Sequence, residues 1–359
     1  MPRKETIADQ TTPPLVARAF DSVAHSYDSA FLADYDHLRG DLVRLYRMAK
    51  QAQWDGETYL DWSIDVDPEK PFFPVEETAI SGTSHWTRLT EREKVQLNHE
   101  SMAWTLSQFL HGEQGALLAT AQIVDSVPNI DAKLYAATQV MDEARHVEVY
   151  DRYLHEKIEI VYPINPELKT LLDQILSDSR WDMKYLGMQI LVEGLALAAF
   201  QTMRDYSTEP LIKELTAMVM KDESRHVAFG VLSLKDYYRE LSEAEVDERV
   251  EFVYEGCRLM RDRLLQREVY EKMGMDVEAC VEIEYHDEMS KAFRRAMFSK
   301  IVPNVKKLGL LNDKLRRGFE ELDILEFESM PSSEEEFADP AALVNEYNTE
   351  AQAETSLVA

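Results

Sequence analysis

The sequence predicts an all-α protein, a four-helix bundle with additional flanking helices. Three observations carry that prediction. Long Ala-, Leu-, Met- and Glu-rich stretches place apolar residues three and four positions apart, the spacing that lines up one face of an α-helix. Glycine and proline are sparse, at 12 and 13 of 359 residues, and many fall between the periodic stretches. Strand-like alternation is hard to find. A chain of this length that is 45% hydrophobic buries a large core, long for one domain but feasible for an extended bundle.

In chain order, residues 1–20 read as a flexible arm, 21–325 as a single helical domain and 326–359 as an acidic, disordered tail that includes "SSEEEF". A helix is expected in "LRGDLVRLYRMAKQA", then loops around "DVDPEKPFFP" and "SGTSH". The first long helix starts at a Thr90 cap with Glu93 three residues on, a capping box, and runs through "HGEQGALLATAQIVDS". A turn at "VPNID" leads into a second helix through "MDEARHVEVYDRYL", and a crossover containing "VYPINPE" follows. The third helix is "WDMKYLGMQILVEGLALAAFQTMRD"; after a turn at "YSTEP" the fourth passes through "KDESRHVAFGVLSLKDYY". More helices are expected between about 243 and 323.

The chain repeats itself at a shift of 80 residues. Glu113 falls on Glu193, Ala116 on Ala196, Leu117 on Leu197, Asp142 on Asp222, Glu143 on Glu223, Arg145 on Arg225 and His146 on His226. This is the pattern of a duplicated helical hairpin. Glu113 and Glu143 lie about equally far from their turn, roughly 18 Å at the rise of an α-helix, and so sit level on antiparallel neighbours. Glu193 and Glu223 do the same. Positions i and i+3 share a helix face, so His146 joins Glu143, and His226 joins Glu223.

Four carboxylates and two imidazoles therefore converge on one level of a core spanning about residues 90–240. Four carboxylates in a low dielectric repel one another and take up protons, and two divalent cations would neutralise them. Oxygen-rich ligation with one imidazole per metal suits iron or manganese. Asp142 and Asp222 are expected to cross-pair with His226 and His146 and to fix their tautomers, with Arg145 and Arg225 pairing with the aspartates. The other histidines show no such phasing.

Composition narrows the function. The formal net charge of −28 argues against nucleic acid or an anionic membrane as partner. Cys257 and Cys280 are too few for a disulfide framework, and the N-terminus shows no apolar signal region, so a cytoplasmic protein is expected. The longest apolar run, "YLGMQILVEGLALAAF", carries Glu193 near its centre and reads as a buried core helix.

The pattern of Glu113, "DEARH", Glu193 and "DESRH" resembles the ferritin-like di-iron carboxylate oxygenase superfamily, most nearly the soluble di-iron monooxygenase hydroxylase subunits. It is also similar to the ribonucleotide reductase small subunit and acyl-carrier-protein desaturases. The resemblance covers about residues 90–240, with "QAQWDGE" as a further match upstream. It implies a ferritin-like fold and the metal ligands Glu113, Glu143, His146, Glu193, Glu223 and His226. It also implies two iron ions, with a Mn/Fe pair as the alternative, and O2 as co-substrate. The remaining partners would be a small apolar organic substrate, a separate reductase or ferredoxin, and a second copy of the chain in a homodimer.

Two features depart from the hydroxylases. Leu197 stands where they have a threonine, and Tyr150 lies seven residues after Glu143, the place of a redox-active tyrosine in the reductase subunit. Gly230 is its counterpart in the second repeat, and open space is expected there. Leu110, Ala116, Leu117, Ile190, Ala196, Leu197 and Phe200 are candidates for an apolar pocket, although a helix core needs the same residues. The expected activity is O2-dependent hydroxylation, N-oxygenation or desaturation. The alternatives are a radical-generating or ligand-binding oxidase, and an iron-storage or structural metal bundle.

Overall fold

The computed structural model describes residues 22–336, and among these every regular element is helical. Seven helices matter for the site: α1 (Gly40–Gln51), α2 (Glu91–Ser126), α3 (Ile130–Tyr153), α4 (Pro166–Ser177), α5 (Trp181–Tyr206), α6 (Pro210–Tyr237) and α7 (Glu243–Asp262). Helices α2 and α3 form one antiparallel hairpin and α5 and α6 the other; together they make a ferritin-like four-helix bundle, with the remaining helices flanking it.

Local chemistry fixes where the long helices start. Thr90 and Glu93 make the expected capping box, the Thr90 hydroxyl accepting from the Glu93 N–H while the Glu93 carboxylate accepts from the Thr90 N–H. The Asn129 side chain accepts from the Ala132 N–H at the start of α3. Helix α6 opens with Pro210 at its first position, and Glu209 accepts from the N–H groups of Leu211 and Ile212.

Two apolar clusters fill the bundle, one on each side of a polar layer. One holds Ala116, Ala119 and Ile123 of α2, Tyr135 of α3, Ile190 of α5 and Phe229 of α6. The other holds Leu106 and Phe109 of α2, Tyr150 and Tyr153 of α3, Phe200 of α5 and Leu215 of α6. The carboxylates and histidines singled out by the repeat lie between these clusters along each helix. Burying the two clusters drives assembly. The polar layer is thereby trapped in the interior, where its charges need compensation.

Three features differ from the sequence reading. Residues 166–177, placed within a crossover, form helix α4, and Leu168, Leu171, Leu172, Ile175 and Leu176 bury its apolar stripe. Helix α5 is continuous but passes through a π-helical segment, Leu186–Val192, immediately before Glu193. The acidic tail does not begin at 326. Residues Leu325–Ser329 form a 3-10 turn and Ser333–Glu336 a short helix packed on α6. There Lys235 pairs with Glu334, Lys300 with Glu336, and Lys307 with Glu334 and Glu335, while Ser333 is buried and bonded to Asn304. Local lysines thus neutralise an acidic run that composition alone reads as solvated. The expected arm, residues 1–20, and residues 337–359 of the tail lie outside the described residues.

Helix α5 is long and apolar enough to cross a membrane by length and composition, but 72% of its most apolar stretch is buried inside the protein. It is the core helix of the second hairpin.

Candidate metal centre

The structure brings all six expected ligand side chains into one buried layer. Ligand atoms of Glu113, Glu143, His146 and Glu223 lie within 4.8 Å of one another, as do those of Glu143, Glu193 and His226. Glu143 is shared by the two groups. Glu223 reaches both as well, its Oε1 lying 3.1 Å from His146 Nδ1 and its Oε2 3.4 Å from His226 Nδ1. Glu113 belongs to the first group alone and Glu193 to the second.

A second tier holds this layer in place. His226 Nε2 lies 3.2 Å from Asp142 Oδ2, and His146 Nε2 3.2 Å from Asp222 Oδ2, so each aspartate meets the histidine of the other repeat. With Nε2–H donating to the aspartate, Nδ1 keeps its lone pair for the carboxylate layer. Arg145 donates to both Asp142 and Asp222, and Arg225 donates to Asp222 with Asp142 at 3.5 Å. Residues Gln53 and Trp54, beyond the end of α1, complete the tier. Gln53 Nε2 donates to Asp142 at 2.8 Å and Trp54 Nε1 to Asp222 at 2.8 Å. These two belong to the "QAQWDGE" match, which signals their place but not their contacts.

The electrostatics are those of a site built around cations. Burial pushes the Glu113 and Glu193 carboxyls well above the usual carboxylate range, and the neighbouring carboxylates add to it. Burial also opposes ionisation of Glu143, yet His226 and His146 outweigh it and hold Glu143 low. Both histidines are pushed well above their usual range, because the surrounding carboxylates outweigh the cost of burying an imidazolium. Protons thus stand in for missing positive charge.

The donor set fits a metal pair on a second count. Glu143 Oε2, Glu193 Oε2, both carboxylate oxygens of Glu223 and His226 Nδ1 are buried without a hydrogen-bond partner. Such atoms are costly unless something else coordinates them. The layer is suited to two metals, and oxygen donors with one imidazole apiece favour iron or manganese.

Gln139 is a residue that sequence reasoning missed. Buried one turn before Glu143, it donates through Nε2 to Glu143 at 2.9 Å and to Glu193 at 3.0 Å, tying the two hairpins together. The signal was available, since the 80-residue shift puts Val219 opposite it, a polar-for-apolar difference at a core position.

A narrow cavity reaches the Glu113, Glu193 and Glu223 carboxylates, its wall formed by Gln108, Phe109, Gly112, Ala116, Leu168, Val192, Ala196, Phe200 and Arg263. Of the expected pocket residues, Ala116, Ala196 and Phe200 line it. Leu110, Leu117, Ile190, Leu197 and Gly230 do not. Ile190 and Leu197 are buried in the two apolar clusters, and Leu110 packs beside the second. No open space exists at Gly230, where an added Cβ would meet Gln189 Cβ at 2.6 Å. The π segment carries Gln189 against α6, and glycine permits that approach. Tyr150 is fully buried with its hydroxyl unpartnered, 5.9 Å from Phe109 and 6.3 Å from Phe200 between ring centres.

The family model described as P-aminobenzoate N-oxygenase AurF matches residues 39–309, more than half of the chain. No curated protein matches. Among solved structures, an R2-like ligand-binding oxidase with aerobically reconstituted metal cofactor after photoconversion is 17% identical, with a TM-score of 0.49 over 77% of this chain and 94% of that one. A mutant of an R2-like ligand-binding oxidase with aerobically reconstituted Mn/Fe cofactor is 17% identical, with a TM-score of 0.49 over 78% and 95%.

Proposed function

The chain belongs to the P-aminobenzoate N-oxygenase AurF family of di-iron oxidoreductases, and from that premise we propose that it oxygenates the nitrogen of a small, largely apolar amine with O2. The observation that carries this reading is the cavity that ends on Glu113, Glu193 and Glu223. A substrate entering there would meet the carboxylate layer directly.

Glu113, Glu143, His146, Glu193, Glu223 and His226 would hold two iron ions. A bound iron pair supplies the electrons that reduce O2 and the oxidising power that transfers an oxygen atom. The chain's own residues do the rest. Asp142 and Asp222 hold the histidine tautomers, with Arg145 and Arg225 compensating the aspartates. Gln139 keeps Glu143 and Glu193 in register. Phe109, Ala116, Ala196 and Phe200 give the substrate an apolar wall and exclude water. Electrons would come from a separate reductase or ferredoxin, the sequence carrying no flavin, nicotinamide or iron–sulfur motif of its own. A cytoplasmic homodimer completes the reading.

Isotope labelling tests it. Iron-loaded enzyme given a chemical reductant, 18O2 and an aromatic amine such as 4-aminobenzoate should return the label on nitrogen, read by mass spectrometry. O2 consumption with no label in the amine would reject N-oxygenation. The specific observation favouring a second reading, a ligand-binding or radical-generating oxidase, is the buried, unpartnered Tyr150 hydroxyl. An EPR tyrosyl signal after O2 exposure, abolished by Tyr150→Phe, would promote that reading.

A further inference from the structure

The first half of α3 carries buried polar side chains where a helix core calls for apolar ones. Tyr135 and Gln139 are one turn apart and fully buried, and Gln139 is bonded to Glu143 and Glu193 of the carboxylate layer. The Tyr135 hydroxyl has no hydrogen-bond partner, and neither has Gln139 Oε1. The charged groups that act on this hydroxyl, His226, Arg225, Asp142 and Glu193, all belong to the layer or to the tier around it. Two more buried hydroxyls without a partner follow, those of Tyr185 on α5 and Ser233 on α6. The Tyr135 and Tyr185 rings both pack on Phe229, at 4.3 and 4.9 Å between ring centres. Ser233, Tyr135 and Arg39 are the groups that act on the Tyr185 hydroxyl. Arg39 lies at the surface, its Nη2 donating to the carbonyl of Leu232 at 2.7 Å and its backbone N–H to Asp131 Oδ2 at 3.0 Å. The other Asp131 oxygen lies 2.5 Å from Nδ1 of the exposed His37.

Packing does not require this series. The 80-residue shift puts Leu215 opposite Tyr135 and Val219 opposite Gln139, and both belong to the apolar cluster on the other side of the layer. Equivalent positions of the same bundle are thus filled with apolar side chains on one side and with polar ones on the other. Phenylalanine would pack where Tyr135 and Tyr185 do, and it would avoid the cost of about 1–3 kcal/mol that a buried hydroxyl without a partner carries. Ordered water is the usual completion of such groups. Three hydroxyls and an amide oxygen left open between the layer and the surface therefore mark a polar passage through an otherwise apolar core.

We propose that Gln139, Tyr135, Tyr185 and Ser233, bridged by water, form a proton-conducting file from the surface at His37 and Asp131 to the carboxylate layer. This rests on the O2 chemistry proposed above, whose balance creates the demand. An amine, O2, two electrons and two protons give a hydroxylamine and one water. The electrons come from the reductase, ferredoxin or chemical reductant. The protons have to cross a buried core, and substrate seated in the cavity plugs that side. A hydroxyl conducts by accepting one proton on its oxygen as it donates its own. Burial raises the pKa of Tyr135 and of Tyr185, so neither ionises, and this mode of transfer does not ask them to. Gln139 passes no proton; its free Oε1 orients the innermost water while Nε2 holds Glu143 and Glu193. These are positioning residues, since none of them touches the substrate.

Tyr135→Phe and Tyr185→Phe each remove one hydroxyl and keep the ring. In iron-loaded, chemically reduced protein mixed with O2 and 4-aminobenzoate, each should slow O2 consumption in a single turnover by about tenfold or more, and the slowed rate should fall further in D2O. Iron content and amine affinity should be unchanged, and thermal stability should not fall. A high-resolution crystal structure of the unaltered protein should show ordered water bonded to the Tyr135 and Tyr185 hydroxyls. Unchanged rates in both variants overturn the proposal. So does slowing that is insensitive to D2O, slowing that comes with loss of iron or of amine binding, or a dry interior between Tyr135 and Ser233. Failure of the proposed function looks different. O2 consumed without label on nitrogen rejects N-oxygenation and leaves the file, because O2 reduced to water also takes up protons; label transfer at an unchanged rate in both variants does the reverse.

Discussion

The two hairpins carry the same three donors, two glutamates and a histidine, yet they build different surroundings for them. In the first, α2 and α3 are regular α-helices through Glu113, Glu143 and His146, and Gln139 clamps Glu143 from one turn away. In the second, α5 widens into a π segment just before Glu193, and Val219 replaces the clamp with apolar packing. Tyr150 fills its place in the first hairpin with a buried phenol, while its counterpart Gly230 lets Gln189 close in. Duplication thus preserves the donors, whose chemistry two cations dictate, and leaves the supporting positions free to diverge. π segments recur at functional sites in helical proteins, and this one directly precedes a site carboxylate.

Three sets of substitutions and one titration break or sharpen that comparison. The largest effect is expected at Glu143, which both donor groups share. Glu143→Ala should abolish binding of both metals, whereas Glu113→Ala or Glu193→Ala should weaken chiefly one; metal analysis by mass spectrometry after gel filtration checks this. Next come the cross-paired aspartates. Because each serves the other hairpin's histidine, Asp142→Asn and Asp222→Asn should lower iron affinity by similar factors, about 10–100-fold, in a chelator competition. Effects differing by orders of magnitude would show that the two halves are not equivalent.

How much of this was legible in the sequence depends on what each feature rests on. The long helices, the Thr90 capping box and the convergence of Glu113, Glu143, Glu193 and Glu223 follow from helical periodicity and a repeat, which are local or arithmetic properties. The cavity was not legible. Residues three positions from a ligand share its face, but whether Leu110 or Phe109 reaches open space is set by how the flanking helices pack, and α4 and α7 supply Leu168 and Arg263 from outside the repeat. The π segment was hidden because it changes hydrogen bonding without changing apolar spacing. The ordered stretch at 325–336 was hidden because its neutralising partners, Lys235, Lys300 and Lys307, lie far from it in sequence.

The titration concerns the layer as a whole. Glu113, Glu193, His146 and His226 all have raised pKa values in the folded protein, so the metal-free fold binds more protons than the unfolded chain. Metal-free stability should therefore fall as pH rises from mildly acidic to alkaline through those raised values. Glu143 and Asp222, held low, act in the opposite sense, and their contribution is lost only in strong acid. Iron affinity should rise over the same window, since loading displaces those protons. Thermal melts with and without iron across that range check both; a metal-free melt that is flat with pH would contradict the assignment. The smallest effect is expected at the repeat's most asymmetric pair. Gly230→Ala places a methyl group against Gln189 and should cost about 1–3 kcal/mol in denaturant unfolding, leaving the metal count unchanged.

The most direct measurement is anomalous diffraction at the iron edge from crystals loaded with Fe(II). Two peaks are expected in the buried layer, one among Glu113, Glu143, His146 and Glu223 and the other among Glu143, Glu193 and His226. A single peak, or iron bound only elsewhere on the molecule, would contradict the account.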